Sequence, residues 1–149
     1  MTPDDLKART KKFAVNVIQF ARSIPHDPIN GQIASQLTDA ATSVAAHYRA
    51  VCRAKSRADF INKLSGAIEE VDESALWLEI FAEAGICASS KTRPLWREAD
   101  ELTRIFVRSR ETARAKQKAA KQAENARNHE SRINNQQRID NQRSSNQQS

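Results

Sequence analysis

Apolar residues recur along this chain at helical spacing in four blocks, each closed off by turn or capping chemistry. The first block carries Leu6, Phe13, Val17, Phe20, Ala21 and Ile24 at three-, four- and seven-residue intervals, which puts them on one helix face. Ahead of it, Thr2-Pro3-Asp4-Asp5 supplies a hydroxyl N-cap, a proline at the first helical position and two carboxylates at the positive end of the helix dipole. Pro25-His26-Asp27-Pro28 stops the run, so the pattern predicts a helix over about residues 3–24.

The second block, Ile33, Leu37, Ala40, Ala41, Val44, Tyr48 and Val51, predicts an alanine-rich helix ending near Ala54. A capping box at Ser56-Arg57-Ala58-Asp59 opens the third. Phe60, Leu64, Ala67, Ile68, Val71, Ala75, Leu78 and Ala82 carry its period, and Gly85 ends it. The fourth helix is predicted to start between Ser90 and Pro94 and to bury Leu95, Ala99, Leu102, Ile105 and Phe106.

After about Ala113 the apolar period disappears, and Ser131 to Ser149 is dominated by Asn, Gln, Ser and Arg. Such a composition buries too little surface to offset its ordering entropy, so the fourth helix is expected to fray into a disordered tail. No internal repeat is apparent. Short connections make neighbouring helices antiparallel. The predicted fold class is therefore all-α: an antiparallel up-and-down four-helix bundle over residues 1–114, with a disordered polar tail over 115–149.

Composition agrees with this division. Hydrophobic residues are 39% and aromatics 5% of 149 residues, low for a fully packed chain, and three glycines and four prolines leave little material for sheet-rich turns. The net charge of +6 is uneven, because seven Lys and Arg against three acids fall within residues 115–149. The acidic start leads into no apolar run and no stretch reaches spanning length, so a cytoplasmic protein without membrane contact is expected. Cys52 and Cys87 are too few for a disulfide framework and are expected to be free thiols.

Recognised chemistry is sparse. Helix three holds Glu69, Glu70, Asp72, Glu73, Glu79 and Glu83, but none of His26, His47 or His129 completes the Glu-x-x-His pairs of a di-iron bundle, so no metal or other cofactor is expected. His47 and Cys52, five residues apart, fall on different helix faces. No phosphate loop or nucleophile elbow occurs, and no catalytic residue is assigned.

Two surfaces stand out. On helix three, Trp77 and Ile80 point away from the Leu64–Val71–Leu78 stripe with Leu76 between, which predicts a self-association face. In an up-and-down bundle, the start of helix one, the end of two, the start of three and the end of four share one end. That end collects Lys7, Lys11, Lys12, Arg49, Arg53, Lys55, Arg57, Arg104, Arg108, Arg110 and Arg114. Clustered cations of this kind bind phosphate backbones without base-reading chemistry. Candidate nucleic-acid contacts are Lys7, Lys11, Arg49, Arg53, Lys55, Arg57, Arg104, Arg108 and Arg114, with a protein-interaction scaffold as the rival reading.

The stretch Gln36-Leu37-Thr38-Asp39-Ala40-Ala41-Thr42-Ser43-Val44-Ala45-Ala46-His47-Tyr48-Arg49 resembles helix two of a bacterial four-helix bundle family that includes proteins encoded in intervening sequences of 23S ribosomal RNA genes. Cys52 to Leu64 and Glu69 to Glu79 resemble the same family, and the likeness covers about residues 6–113. Relatives include the accessory protein of diversity-generating retroelements, a barrel-like pentamer that binds nucleic acid through basic surface and works with a reverse transcriptase. The resemblance implies basic roles for Arg49, Arg53, Lys55 and Arg57 and an interface role for Trp77. It also implies self-association as a pentamer and a reverse transcriptase as a candidate partner. Many members carry Asn-Ile-Ala-Glu-Gly where this chain has His47-Tyr48-Arg49-Ala50-Val51. The expectation is an accessory, non-enzymatic oligomer that binds nucleic acid, RNA first.

Overall fold

Residues 1–147 are described by a computed structural model, and they form α1 (Pro3–Ser23), α2 (Pro28–Val51), α3 (Arg57–Glu83) and α4 (Ser89–Gln147). Each start has its own chemical cause. Thr2 and Asp5 form a reciprocal capping box at α1, with Thr2 N donating to Asp5 Oδ2 at 2.7 Å and Asp5 N to Thr2 Oγ1 at 3.1 Å. Asp27, predicted only as part of a stop, also starts α2: its Oδ1 accepts from Ile29 N and Asn30 N, both at 2.9 Å, with Pro28 in the first turn. Ser56 caps α3 through Asp59 N at 3.0 Å.

α3 ends as the sequence predicts. Gly85, at φ +69°, reverses the chain, and Ile86 N donates back to Phe81 O at 3.1 Å. α4 begins at Ser89, slightly ahead of the predicted window, so Pro94 lies inside it rather than at its edge.

The first unit, Met1–Ala113, is the four-helix bundle. Contacts fix its antiparallel order: Ser65 meets Arg110, whereas Glu79, a longer way along α3, meets the earlier Trp96 of α4. Phe13, Val17, Leu37, Val44, Leu64, Val71, Leu78, Phe81, Leu102 and Phe106 are fully or almost fully buried between the helices. Phe20 meets Phe81 edge-on and Tyr48 stacks on Phe106, both at 5.4 Å between ring centroids. Buried hydroxyls are satisfied within their own helices, Thr10 by Leu6 O and Ser74 by Glu70 O. Gly66 lets α2 come close, since a Cβ there would stand 3.3 Å from the His47 ring.

The second unit begins at Arg114. Its residues 114–147 are helical and all exposed, which corrects the expected fraying after Ala113 over that span; positions 148 and 149 of the expected tail lie outside the described residues. The absence of apolar periodicity does mean the absence of a core here, but it does not forbid a helix. Beyond Pro94 the chain has no proline and beyond Gly85 no glycine, and Ala, Lys, Gln, Glu and Arg favour helix. An existing helix also elongates without a new nucleation cost.

Candidate nucleic-acid interface

Three bundle segments build the basic surface. α1 and α2 form a groove lined by Lys7, Lys11 and Arg49 together with Ala8, Ala45 and Ala46. The small residues keep the two helices close, so the cations stand at the rim. Beside it, Pro3 meets the α2–α3 turn in a hollow of about 450 Å³ whose lining includes Tyr48, Cys52 and Lys55.

That turn is held by its own backbone. Arg53 N donates to Ala50 O at 3.0 Å, Ala54 N to Val51 O at 3.1 Å, and Lys55 N to Asp59 Oδ2 at 3.0 Å. Asp59 also accepts from Lys63 Nζ at 2.7 Å. These bonds, that from Lys63 first, hold the Asp59 carboxyl below its ordinary range. The acid nearest the turn is therefore occupied. Arg53, Lys55 and Arg57 are exposed, and among the described residues they have no ion-pair partner; Lys11 and Arg49 share both properties.

The other predicted cations differ. Lys7 pairs with Asp4 at 3.3 Å and Arg104 with Asp100 at 2.7 Å, one turn away on its own helix. Arg108 is exposed and unpaired among the described residues, on the stretch of α4 that the Tyr48–Phe106 stack brings against α2. Arg110 is half-buried: one guanidinium nitrogen donates to Ser65 Oγ at 3.3 Å, while its buried Nε finds no acceptor. Arg114 is exposed and is the first residue of the second unit.

Arg9 is a cation whose role the periodicity does not reveal. Its Nε and Nη2 clasp the Glu98 carboxylate at 2.6 and 2.9 Å, and Nη2 also reaches Glu101 at 3.0 Å. The Glu98 bonds push its already high pKa further up. Arg9 is a clasp between α1 and α4, unavailable to a phosphate. A bidentate partner nearly ninety residues away leaves no local signal.

The association face is smaller than its sequence pattern suggests. Leu76 is 49% exposed, but Trp77 and Ile80 are half-buried, and Trp77 packs partly on the core with Nε1 donating to Glu73 at 3.1 Å. A rotation of 100° per residue ignores the reach of an indole, which folds back along its own helix. Cys52 is exposed, Cys87 half-buried, and both are free thiols. Among the described residues no group of His, Cys, Asp and Glu side chains is arranged to hold a metal ion, and no helix is long and apolar enough to cross a membrane.

Comparison with known proteins sets this geometry in context. Residues 5–108 match the family model of the 23S rRNA-intervening sequence protein. A crystal structure from Bacteroides thetaiotaomicron, of a protein with unknown function from the S23 ribosomal protein family, is similar in fold. It has a TM-score of 0.66 and 25% sequence identity, over 74% of this chain and 99% of that one. No curated protein matches.

Proposed function

We propose that this chain, which belongs to the 23S rRNA-intervening sequence protein family, is a non-enzymatic, cytoplasmic accessory factor that self-associates and binds nucleic acid, RNA first, through the basic end of its bundle. The observation that carries the reading is the set Lys11 on α1, Arg49 on α2, Arg53 and Lys55 in the α2–α3 turn and Arg57 at the start of α3, exposed and unpaired among the described residues. Arginine and lysine in such a set displace counterions from a phosphate backbone, and this needs no catalytic group. Self-association rests on Leu76, and a ring of copies, such as a pentamer, multiplies the basic patch.

The test is binding of fluorescent single-stranded RNA over a salt series. About five cations imply a log–log salt slope near −3.5. A chain ending at Arg114 is expected to keep binding, and Arg49→Glu with Arg53→Glu made in that shorter chain to abolish it. Absence of any RNA binding at low salt refutes the proposal. The rival, a scaffold for a protein partner such as a reverse transcriptase, is favoured by Leu76 alone. It gains if Leu76→Asp abolishes partner capture while the charge variant does not.

A further inference from the structure

The bundle end leaves the second unit unexplained. Residues 114–147 form a helix with no buried residue, carrying eight Lys and Arg against three acids. None of the eight has an ion-pair partner among the described residues. A helix that serves only to extend the chain gives its charges no reason for order. These are ordered.

Lys116, Lys121, Arg127, Arg132, Arg138 and Arg143 follow one another at alternating steps of five and six residues. Positions eleven apart drift by only about 20° on an α-helix. The six therefore form two rails: Lys116, Arg127 and Arg138 on one side, and Lys121, Arg132 and Arg143 about 140° around the axis. Along each rail the cations recur every ~16 Å. Between the rails runs a strip bearing Gln117, Asn128, Asn135 and Gln142, with Glu124 among them. Arg114 and Lys118 flank the second rail, and the opposite arc, including Ala115, Ala119, Ala126 and Ile133, holds no cation.

We propose that this helix is a duplex-DNA-binding element that lies in the major groove, its two rails on the two flanking phosphate strands and its amide strip facing the base edges. The major groove, about 12 Å wide, admits one α-helix. Rails on either side of such a helix reach opposite backbones, while Asn and Gln side chains suit the donor–acceptor pair of adenine, and Glu accepts from the cytosine amino group. Duplex RNA is a poorer occupant, because its major groove is deep and narrow. A membrane surface is also disfavoured. It needs a continuous apolar face, and the large exposed apolar residues of this unit, Ile133 and Ile139, stand about 120° apart. This site shares no cation with the set Lys11, Arg49, Arg53, Lys55 and Arg57, and either can fail without the other.

The experiment uses the full chain and fluorescent duplexes of about two helical turns, as DNA and as RNA of matching sequence, over a salt series. The rail variant replaces all six rail cations with glutamine, which keeps helix propensity. It is expected to bind duplex DNA at least a hundredfold more weakly at low salt, with the log–log slope shallower by about 3 to 5. A second variant, Arg127→Lys, Arg132→Lys, Arg138→Lys and Arg143→Lys, retains the wild-type slope, separating lost charge from lost helix, and circular dichroism reads the helix directly. Arg49→Glu with Arg53→Glu leaves most of the duplex-DNA slope in place, whatever it does to single-stranded RNA. The proposal is overturned if the glutamine variant keeps the wild-type slope, if duplex RNA binds as tightly as duplex DNA to the full chain carrying Arg49→Glu and Arg53→Glu, or if phosphatidylserine vesicles compete DNA away.

Discussion

Replacing Arg9 with methionine is expected to destabilise the bundle by about 2 kcal/mol, more than an ordinary surface ion pair contributes. The structure supplies the reasons. Two guanidinium nitrogens meet both oxygens of Glu98, and the two side chains are only 23% and 28% exposed, so water screens them incompletely. Gross attraction at such a site is about 4 kcal/mol for charges 4 Å apart. Fixing a rotamer-rich arginine costs up to about 2 kcal/mol. Partial desolvation opposes the pair too, and the third contact, to a 60% exposed Glu101, adds little. Methionine keeps the apolar stem of arginine, so the loss reports the charged head.

The assay is urea unfolding of wild type, Arg9→Met, Glu98→Gln and the double variant. A 2 kcal/mol loss moves the midpoint by about 1 M. The coupling energy from the cycle is expected near 1.5 kcal/mol, because each single change leaves a half-buried partner without its counter-charge. A coupling below about 0.3 kcal/mol refutes the reasoning and reduces the clasp to a solvated surface contact.

Three further outcomes follow from the packing and the caps. Phe106→Ala removes a ring that is 1% exposed and stacked on Tyr48, and is expected to cost about 3–5 kcal/mol in urea unfolding. Gly85→Ala forces an L side chain to a φ of +69° and is expected to cost about 1 kcal/mol, read as a lower thermal midpoint. Burial, and then the neighbouring Cys52, raises the Tyr48 phenol above its ordinary 10.0. Below that pH neither state ionises. As pH rises past it, the unfolded chain loses the phenol proton before the folded one does, so stability falls. Tyr48→Phe flattens this alkaline decline, and since Tyr48 is the chain's sole tyrosine, tyrosinate absorbance reads it directly.

The candidate site was only partly legible before folding. Lys11, Arg49, Arg53, Lys55 and Arg57 followed from helix order alone, because short connections dictate which helix ends meet. Their freedom did not: whether a cation is unpaired depends on what stands opposite it on other helices, whereas the pairs Lys7–Asp4 and Arg104–Asp100, three and four residues apart on one helix, were already within reach by spacing. The eleven-residue order of Lys116 to Arg143 was hidden for another reason. It is a repeat of charge positions, not of residue identities, and becomes a surface only once that segment is known to be helical.

What the sequence determined by itself is the set of local elements. Thr2 and Ser56 start helices and Gly85 ends one through bonds that span only a few residues, and the buried stripes from Phe13 to Phe106 declare themselves by period. What only the tertiary structure decided are the contacts between residues far apart in the chain: the Arg9–Glu98 clasp and the half-buried Arg110 on Ser65. The physical reason is range. Capping and periodicity act within a turn or two of helix, where neighbours are known from the sequence, whereas pairing and burial of long side chains depend on which helix lies across the groove and at what register.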